Sequence, residues 1–282
     1  MPPLARDVKR KPHSPRRGTQ DGSADNPSDG GVNDAELTPA DASKDGANPG
    51  TTCNVDFLLV ANSSGSMSDK QTTNLASIKN IPSKLSALND GKIDVRFAVT
   101  TSDVTISANT GVFIKGATAC EQPAVNRLWL RAADPNLDAA FACRADVGTI
   151  GGGDEQGLRA LSLAVEAPQN KDFFRPGALF AYLMVLDDGD ESLELPSTLV
   201  ANTFSKLEAA TPRRAGVIFA PSLVAVLPGC TSRATTSSVE DFVVKETPAR
   251  ASRFDMCKAP HNFDDAFTAV ASQIDSRCRN RN

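Results

Sequence analysis

The chain has 282 residues, of which 40% are hydrophobic and 23% are charged, and its formal net charge is −4. This composition is normal for a globular core, and the length suits one large domain or two small ones. The small net charge excludes a general attraction to nucleic acid or anionic lipid, and no apolar run approaches the roughly 20 residues of a membrane-spanning helix.

The first 50 residues differ in composition from the rest. They are rich in Pro, Gly, Ser, Asp and Asn and have almost no large apolar side chains. Such a segment cannot bury enough surface to offset its conformational entropy. We therefore expect a disordered tail over residues 1–50 and a folded domain over residues 51–282. The tail is basic at its start and acidic from Asp21 to Asp45, and we interpret the acidic part as a flexible spacer between the domain and an anchor.

From residue 53 onward, strand patterns alternate with helix patterns. Residues 55–61 are apolar except for Asp56, which predicts a strand buried on both faces. The run 178–186 is the most apolar in the chain and predicts the central strand. Further strands are predicted at 93–100 and 215–220, with an edge strand or hairpin at 104–115.

Four helices are predicted, at residues 68–88, 154–166, 197–210 and 263–276. Pro82 should kink the first helix, and Asn262 is a suitable N-cap for the last. Residues 118–150 are interpreted as an irregular insertion. The alternation of strands and helices predicts an α/β fold, a doubly wound three-layer sandwich whose central sheet is mostly parallel, as in Rossmann-like domains.

Polar clusters follow two of these strands. Asn62-Ser-Ser-Gly-Ser66 follows the first, and Asp187-Asp-Gly-Asp-Glu191 follows the central one. Because the carboxyl ends of parallel strands lie at one edge of a sheet, where ligands collect, both clusters should meet there. Gly65 lets the backbone bend, so that the hydroxyls of Ser64 and Ser66 can point the same way. Hydroxyl, amide and carboxylate oxygens are ligands of hard cations such as Mg²⁺.

Residues 55–67, VDFLLVANSSGSM, resemble the first motif of the von Willebrand factor A family, a hydrophobic strand followed by Asp-x-Ser-x-Ser. In that family the motif forms a metal-ion-dependent adhesion site. The resemblance implies that Ser64 and Ser66 hold the ion, and that Asp188 in LMVLDDGDES is the aspartate after the central strand. It covers about residues 55–278 and is nearest to exported, lipoprotein-like bacterial members.

Two positions depart from the family pattern. Asn62 stands in place of the leading aspartate, and it offers a carbonyl oxygen without a charge. No threonine is obvious in the loop GGGDEQGL at 151–158: Asp154 or Glu155 occupies that region, and Thr149 is a weaker candidate. Cation affinity follows the charge of the ligands, so an acidic residue there would restore what Asn62 lacks. The predicted metal ligands are Asn62, Ser64, Ser66, Asp154, Glu155 and Asp188.

The resemblance implies a binding or adhesion module. In the family the ion keeps an open coordination position that a partner's carboxylate fills. We therefore expect a protein or glycan with an exposed carboxylate as the partner, bound weakly through Mg²⁺, Mn²⁺ or Ca²⁺. The alternative is a structural cell-envelope protein whose relic site binds no metal. We expect no nucleic-acid partner.

Several signatures of enzymes are missing from the sequence. It has no HExxH, no Walker loop, no dinucleotide-type GxGxxG and no GxSxG elbow. Its histidines are His13, in the tail, and His261, just before the last helix. We therefore expect no enzyme, and a serine hydrolase that uses His261 is a remote alternative.

Six widely spaced cysteines without a CxxC pair are typical of three disulfides. Disulfides need an oxidising compartment, so we expect export to the periplasm, cell envelope or surface. The N-terminus lacks the apolar core of a signal peptide, and our hypothesis is a start downstream of a lost signal; membrane attachment would need a lipid anchor there. The alternative is a cytosolic protein with buried thiols. The expected pairs are Cys53–Cys278, which would lie at the edge opposite the site, Cys120–Cys143 and Cys230–Cys257.

Overall fold

The structure is a computed structural model, and it describes residues 53–68, 71–105, 111–115, 127–152, 155–186, 192, 198–199, 201–202, 205–206, 222–224, 252–254 and 263–280. All of these residues belong to one compact unit, Asp45–Asn282. The predicted tail over residues 1–50 lies outside them, so the tail and its boundary stay predictions.

One sheet runs through the domain. Its strands are β1 (Cys53–Ala61), β2 (Ile93–Thr101), β3 (Leu130–Arg131), β4 (Leu179–Val185), β5 (Ser222–Val224) and β6 (Ser252–Phe254). Their order across the sheet is β3-β2-β1-β4-β5-β6. Every pair is parallel except β2 with β3, which is antiparallel. The mostly parallel sheet is therefore confirmed, with β1 and β4 as its central pair.

Helices cover both faces of this sheet. They are α1 (Gln71–Ile78), α2 (Ile81–Ser86), α3 (Leu137–Ala145), α4 (Gly157–Glu166) and α5 (Phe263–Arg279), and further helical residues are 198–199, 201–202 and 205–206. Phe57 of β1 belongs to one core cluster with residues of α1, α2, α3 and α5. Leu58 points to the other face and belongs to a second cluster with residues of α4. This confirms the predicted α/β sandwich of three layers.

The predicted helix over residues 68–88 is two helices. Residues 79–80 separate α1 from α2, and Pro82 lies in the first turn of α2. Proline is tolerated there because the first N–H groups of a helix have no partner within the helix. The kink expected at this proline is therefore a complete break.

The region 118–150 is not a purely irregular insertion, because it contains β3 and α3. Phe141 of α3 is fully buried, and its ring centroid lies 5.8 Å from that of Phe97 in β2. The edge strand expected at 104–115 was wrong for the part that is described: residues 104–105 and 111–115 form no strand. There, Asn170 accepts the Phe113 N–H and donates to the Gly111 carbonyl.

One predicted boundary shifts, and another predicted element is not described. Helix α4 begins at Gly157, since Glu155 pairs with Asp103 in an isolated antiparallel bridge. The strand expected at 215–220 lies outside the described residues, and β5 follows it at Ser222–Val224.

Arg175 ties the amino ends of β1 and β2 together. Its backbone N–H and Nε each donate to the carboxylate of Asp56 at 2.8 Å. Its guanidinium also bonds the Asp94 carboxylate at 2.6 Å and the Val55 carbonyl at 2.7 Å. Asp56 is fully buried, and this burial raises the pKa of its carboxyl, although Arg175 opposes the rise.

A disulfide closes the same edge of the sheet. Cys53 at the start of β1 is bonded to Cys278 in the last turn of α5, with their Cα atoms 5.6 Å apart. This confirms the predicted pair. Cys143 is also disulfide-bonded, and its partner lies outside the described residues, as do Cys120, Cys230 and Cys257. No described helix is long and apolar enough to cross a membrane.

Candidate functional site

The sheet reverses its strand order between β1 and β4. From β1 the chain crosses to β2 on one side, while β4, β5 and β6 extend the other side. In open α/β sheets, a crevice forms at this point outside the carboxyl ends of the strands, and ligands bind in it. Ala61 pairs with both Thr101 and Val185, so three neighbouring strands end at one level. The polar residues after β1 and β2 begin side by side at this edge.

A tight turn follows β1, and we call residues 62–66 the serine turn. Oδ1 of Asn62 accepts the backbone N–H of Ser64 at 2.7 Å. The hydroxyls of Ser64 and Ser66 lie 2.7 Å apart, within hydrogen-bonding distance. Met67 anchors the end of the turn in the core, with 2% of its surface exposed. The turn therefore holds two hydroxyl oxygens close together at the mouth of the crevice.

The loop that precedes α4 packs directly on the serine turn. The N–H of Gly151 donates to the Ser63 carbonyl at 2.8 Å. A Cβ added to Gly151 would lie 2.3 Å from Ser63 Oγ and 2.9 Å from the Ser63 carbonyl oxygen, so only glycine fits here. The backbone oxygen of Thr149 is 3.8 Å from the place of a Cβ on Gly65. The glycine run thus brings the Thr149 backbone beside the turn.

Asp103 also lies at this edge, and it is not among the predicted site residues. It follows β2, is 3% exposed, and accepts the Gly152 N–H on Oδ2 at 2.8 Å. Its Oδ1 accepts the backbone N–H and the hydroxyl of Thr105, at 3.0 and 2.6 Å. The signal was present in the sequence: a carboxylate two residues beyond a buried strand that runs parallel to β1.

The predicted ligands are only partly described. Asn62, Ser64 and Ser66 lie together in the serine turn. Glu155 is 2% exposed, and its backbone pairs with that of Asp103. Asp154 and Asp188 lie outside the described residues, so their part in the site stays a prediction.

The serine turn fits a hard cation in donor type and in spacing. Adjacent ligands of an octahedral Mg²⁺ at about 2.1 Å lie roughly 3 Å from each other. The hydroxyls of Ser64 and Ser66 are within a few tenths of an ångström of that separation. Both hydroxyls are neutral, and the described residues contain no group of three or more His, Cys, Asp or Glu that could hold a metal ion. Any negative charge at the site would therefore come from single carboxylates: Glu155 among the described residues, or the predicted ligands Asp154 and Asp188 outside them.

An open cleft of about 590 Å³ lies beside the turn. Ser63, Asp103 and Gly151 line its polar side, and Phe113 lines its apolar side. Ile150 stands at its rim with 95% of its surface exposed. A partner that reaches the serine turn has room for a neighbouring group here.

No protein-family model matches the sequence, and no curated protein matches it. Among solved structures, the pilus adhesin SpaC from Lactobacillus rhamnosus GG, in its open conformation, is 12% identical with a TM-score of 0.42. Proximal thread matrix protein 1 from the mussel byssus is 14% identical with a TM-score of 0.39. Both matches cover 81% of this chain, which spans 30% of the adhesin and 47% of the matrix protein. At these values, neither function transfers to this chain.

Proposed function

We propose that this chain is a binding module of the von Willebrand factor A type, which docks an acidic group of a protein or glycan through a divalent cation. The observation that carries the proposal is the pair of hydroxyls of Ser64 and Ser66, 2.7 Å apart. They lie at the carboxyl edge of the sheet, where the strand order reverses between β1 and β4. This spacing is compatible with each of the three candidate ions, Mg²⁺, Mn²⁺ and Ca²⁺.

The chemistry of the proposed site is electrostatic. Two serine hydroxyls bring no charge, and Asn62 brings none either. An ion held this way keeps most of its positive charge and attracts a carboxylate from outside. The same lack of charge makes the site weak, in the range of about 0.1 to 1 mM that extracellular cation sites occupy.

For the third ligand we favour Thr149 over Asp154 and Glu155. The Thr149 backbone lies against Gly65 in the serine turn, whereas the backbone of Glu155 is paired with Asp103. Asp188 would add the carboxylate that follows β4. With Asp188 as its one charged ligand, the ion would retain a net positive charge for the partner.

We also propose that the protein is exported and that it acts by binding and not by catalysis. The Cys53–Cys278 disulfide supports an oxidising compartment. A structural role with a relic site is the second candidate. It is favoured by the hydrogen bond from the Ser64 N–H to Asn62, which closes the turn without an ion.

Calorimetric titration of the full chain with Mg²⁺ and Mn²⁺ tests the proposal. We expect binding near 1 mM, and at ten times that concentration a gain of about 1.4 kcal/mol in the free energy of unfolding. For a domain of this size the gain raises Tm by about 3 to 5 °C.

The double variant Ser64→Ala, Ser66→Ala should lose both the heat of binding and the Tm shift. Ser68→Ala is the matched control, because Ser68 is exposed at the end of the same turn. A wild-type protein with neither heat nor Tm shift would support the relic site. Ester or peptide hydrolysis that disappears in His261→Ala would instead support the hydrolase.

A further inference from the structure

Asp103 contacts the loop before α4 through its carboxylate. Its two carboxylate oxygens accept three hydrogen bonds, from the Gly152 N–H and from the N–H and hydroxyl of Thr105. Because the side chain is 3% exposed, water competes little for these bonds. Hydrogen bonds from backbone N–H groups to a carboxylate are shorter and stronger than those to neutral acceptors.

The backbone around Asp103 also bonds the loop before α4. Ser102 donates its N–H to the Ala61 carbonyl at the end of β1 and accepts the N–H of Gln156 at 3.1 Å. Asp103 itself pairs with Glu155 in an isolated bridge. The end of β2 therefore links the serine turn on one side to the loop at 149–156 on the other.

Gly151 shows how closely the loop must approach. Its N–H bonds the Ser63 carbonyl, and its missing side chain leaves room for Ser63 Oγ. Ser63 Oγ lies 2.9 Å from Thr101 Oγ1, and Thr101 Oγ1 accepts the Asp103 N–H at 3.2 Å. If Asp103 no longer bound Gly152, Gly151 would also move away from Ser63, because the two glycines are adjacent in the chain.

We infer that Asp103 is a positioning residue of the cation site: it holds the loop at 149–152 against the serine turn, so that both supply ligands to one ion. This inference rests on the proposed function. In this role Asp103 acts through the loop. Its carboxylate fixes the Gly152 backbone and, through Gly151, the distance between the Thr149 segment and Ser64.

Two substitutions test this role from opposite sides of the contact. Asp103→Ala removes the acceptor. Gly151→Ala keeps the Asp103 carboxylate but places a Cβ 2.3 Å from Ser63 Oγ and 3.1 Å from Asp103 Oδ2, which pushes the loop away. The controls are Asp146→Asn, an exposed carboxylate in the segment before the loop, and Ser68→Ala, an exposed side chain just after the serine turn. Each protein is studied as the full chain.

The first readout is the exchange rate of the Gly152 amide hydrogen without metal, and the second is the affinity for Mn²⁺ alone. In Asp103→Ala we expect faster exchange and an affinity for Mn²⁺ that is about 10- to 100-fold weaker, as for other residues that orient metal ligands. Gly151→Ala should weaken Mn²⁺ binding to a similar extent. Both controls should keep the wild-type values.

The double variant Asp103→Ala, Gly151→Ala should bind Mn²⁺ no more weakly than the weaker-binding single variant, because both changes displace the same loop. Unchanged Gly152 exchange in Asp103→Ala overturns the inference. Faster Gly152 exchange in Asp103→Ala together with wild-type Mn²⁺ affinity also overturns it, since Asp103 would then be purely structural. If Asp103→Ala does not fold, wild-type Mn²⁺ affinity in Gly151→Ala overturns it equally. A wild-type protein that binds no Mn²⁺ contradicts the proposed function instead, so the two failures are distinguishable.

Discussion

Removing the Cys53–Cys278 disulfide should cost this domain a large part of its stability. The bond joins residues 225 positions apart, which almost closes the domain into a ring. From the entropy of closing a loop of this length, the cross-link destabilises the unfolded chain by about 5 kcal/mol. Native domains are stable by only about 5 to 15 kcal/mol, so the variant Cys53→Ala, Cys278→Ala should be marginal.

Urea unfolding, followed by the fluorescence of Trp129, measures this cost. Trp129 is the only tryptophan of the chain and is partly buried. The double variant should unfold at lower urea, with a steeper dependence of free energy on urea, because its unfolded chain exposes more surface.

The alanines also remove buried sulfur atoms, and this packing loss must be separated from the cross-link. The same comparison under full reduction supplies the correction, because reduced wild type keeps both sulfur atoms but not the bond. Reduction also opens the Cys143 disulfide, equally in both proteins. The difference in free energy of unfolding between wild type and the variant is measured once oxidised and once reduced. If the oxidised difference exceeds the reduced one by less than about 1 kcal/mol, the entropic reasoning is refuted.

Three further predictions concern buried groups. Burial raises the pKa of Asp56 in the folded state above its unfolded value of about 3.9. Protonation of Asp56 therefore adds stability that is fully present below the unfolded pKa and is lost as pH rises through the folded pKa. In urea titrations, the stability of wild type relative to Asp56→Asn should therefore fall as pH rises above about 4, and an opposite slope contradicts this. Phe141→Ala should cost about 3 to 5 kcal/mol, because a fully buried ring leaves a cavity; a loss below about 1 kcal/mol would show that the core refills it. Asn170→Ala should cost about 3 kcal/mol and speed amide exchange at Phe113, since three buried hydrogen bonds disappear; unchanged exchange would contradict it.

The sheet could be predicted from the sequence because its strands are apolar on both faces. Residues 55–61 and 178–186 have no alternative to burial between two helical layers, and their pairing as β1 and β4 follows. The short strand β3 could not be predicted in this way. It has two residues, Leu130 and Arg131, and depends on the edge of β2 for its pairing.

At the site, residue types were predictable and contacts were not. The Ser-x-Ser spacing indicated the turn, and Gly65 indicated its bend. That Asp103 would bond Gly152, 49 positions later, depends on where the glycine run packs. Sequence spacing holds no information about a contact between two loops, and only the paired ends of β1 and β2 bring them together.

The two edges of the sheet are stabilised by different physical means, and this bears on the proposed function. At the amino edge, Arg175 and a disulfide join distant parts of the chain. At the carboxyl edge, the serine turn and the loop at 149–152 are held to each other and to Asp103 by single hydrogen bonds, each with a net contribution of about 1 to 3 kcal/mol. Segments held this way open at a lower free energy than the sheet. A cation that bridges both segments would add a link between them, so even millimolar binding would change the order of this edge while the fold stays the same.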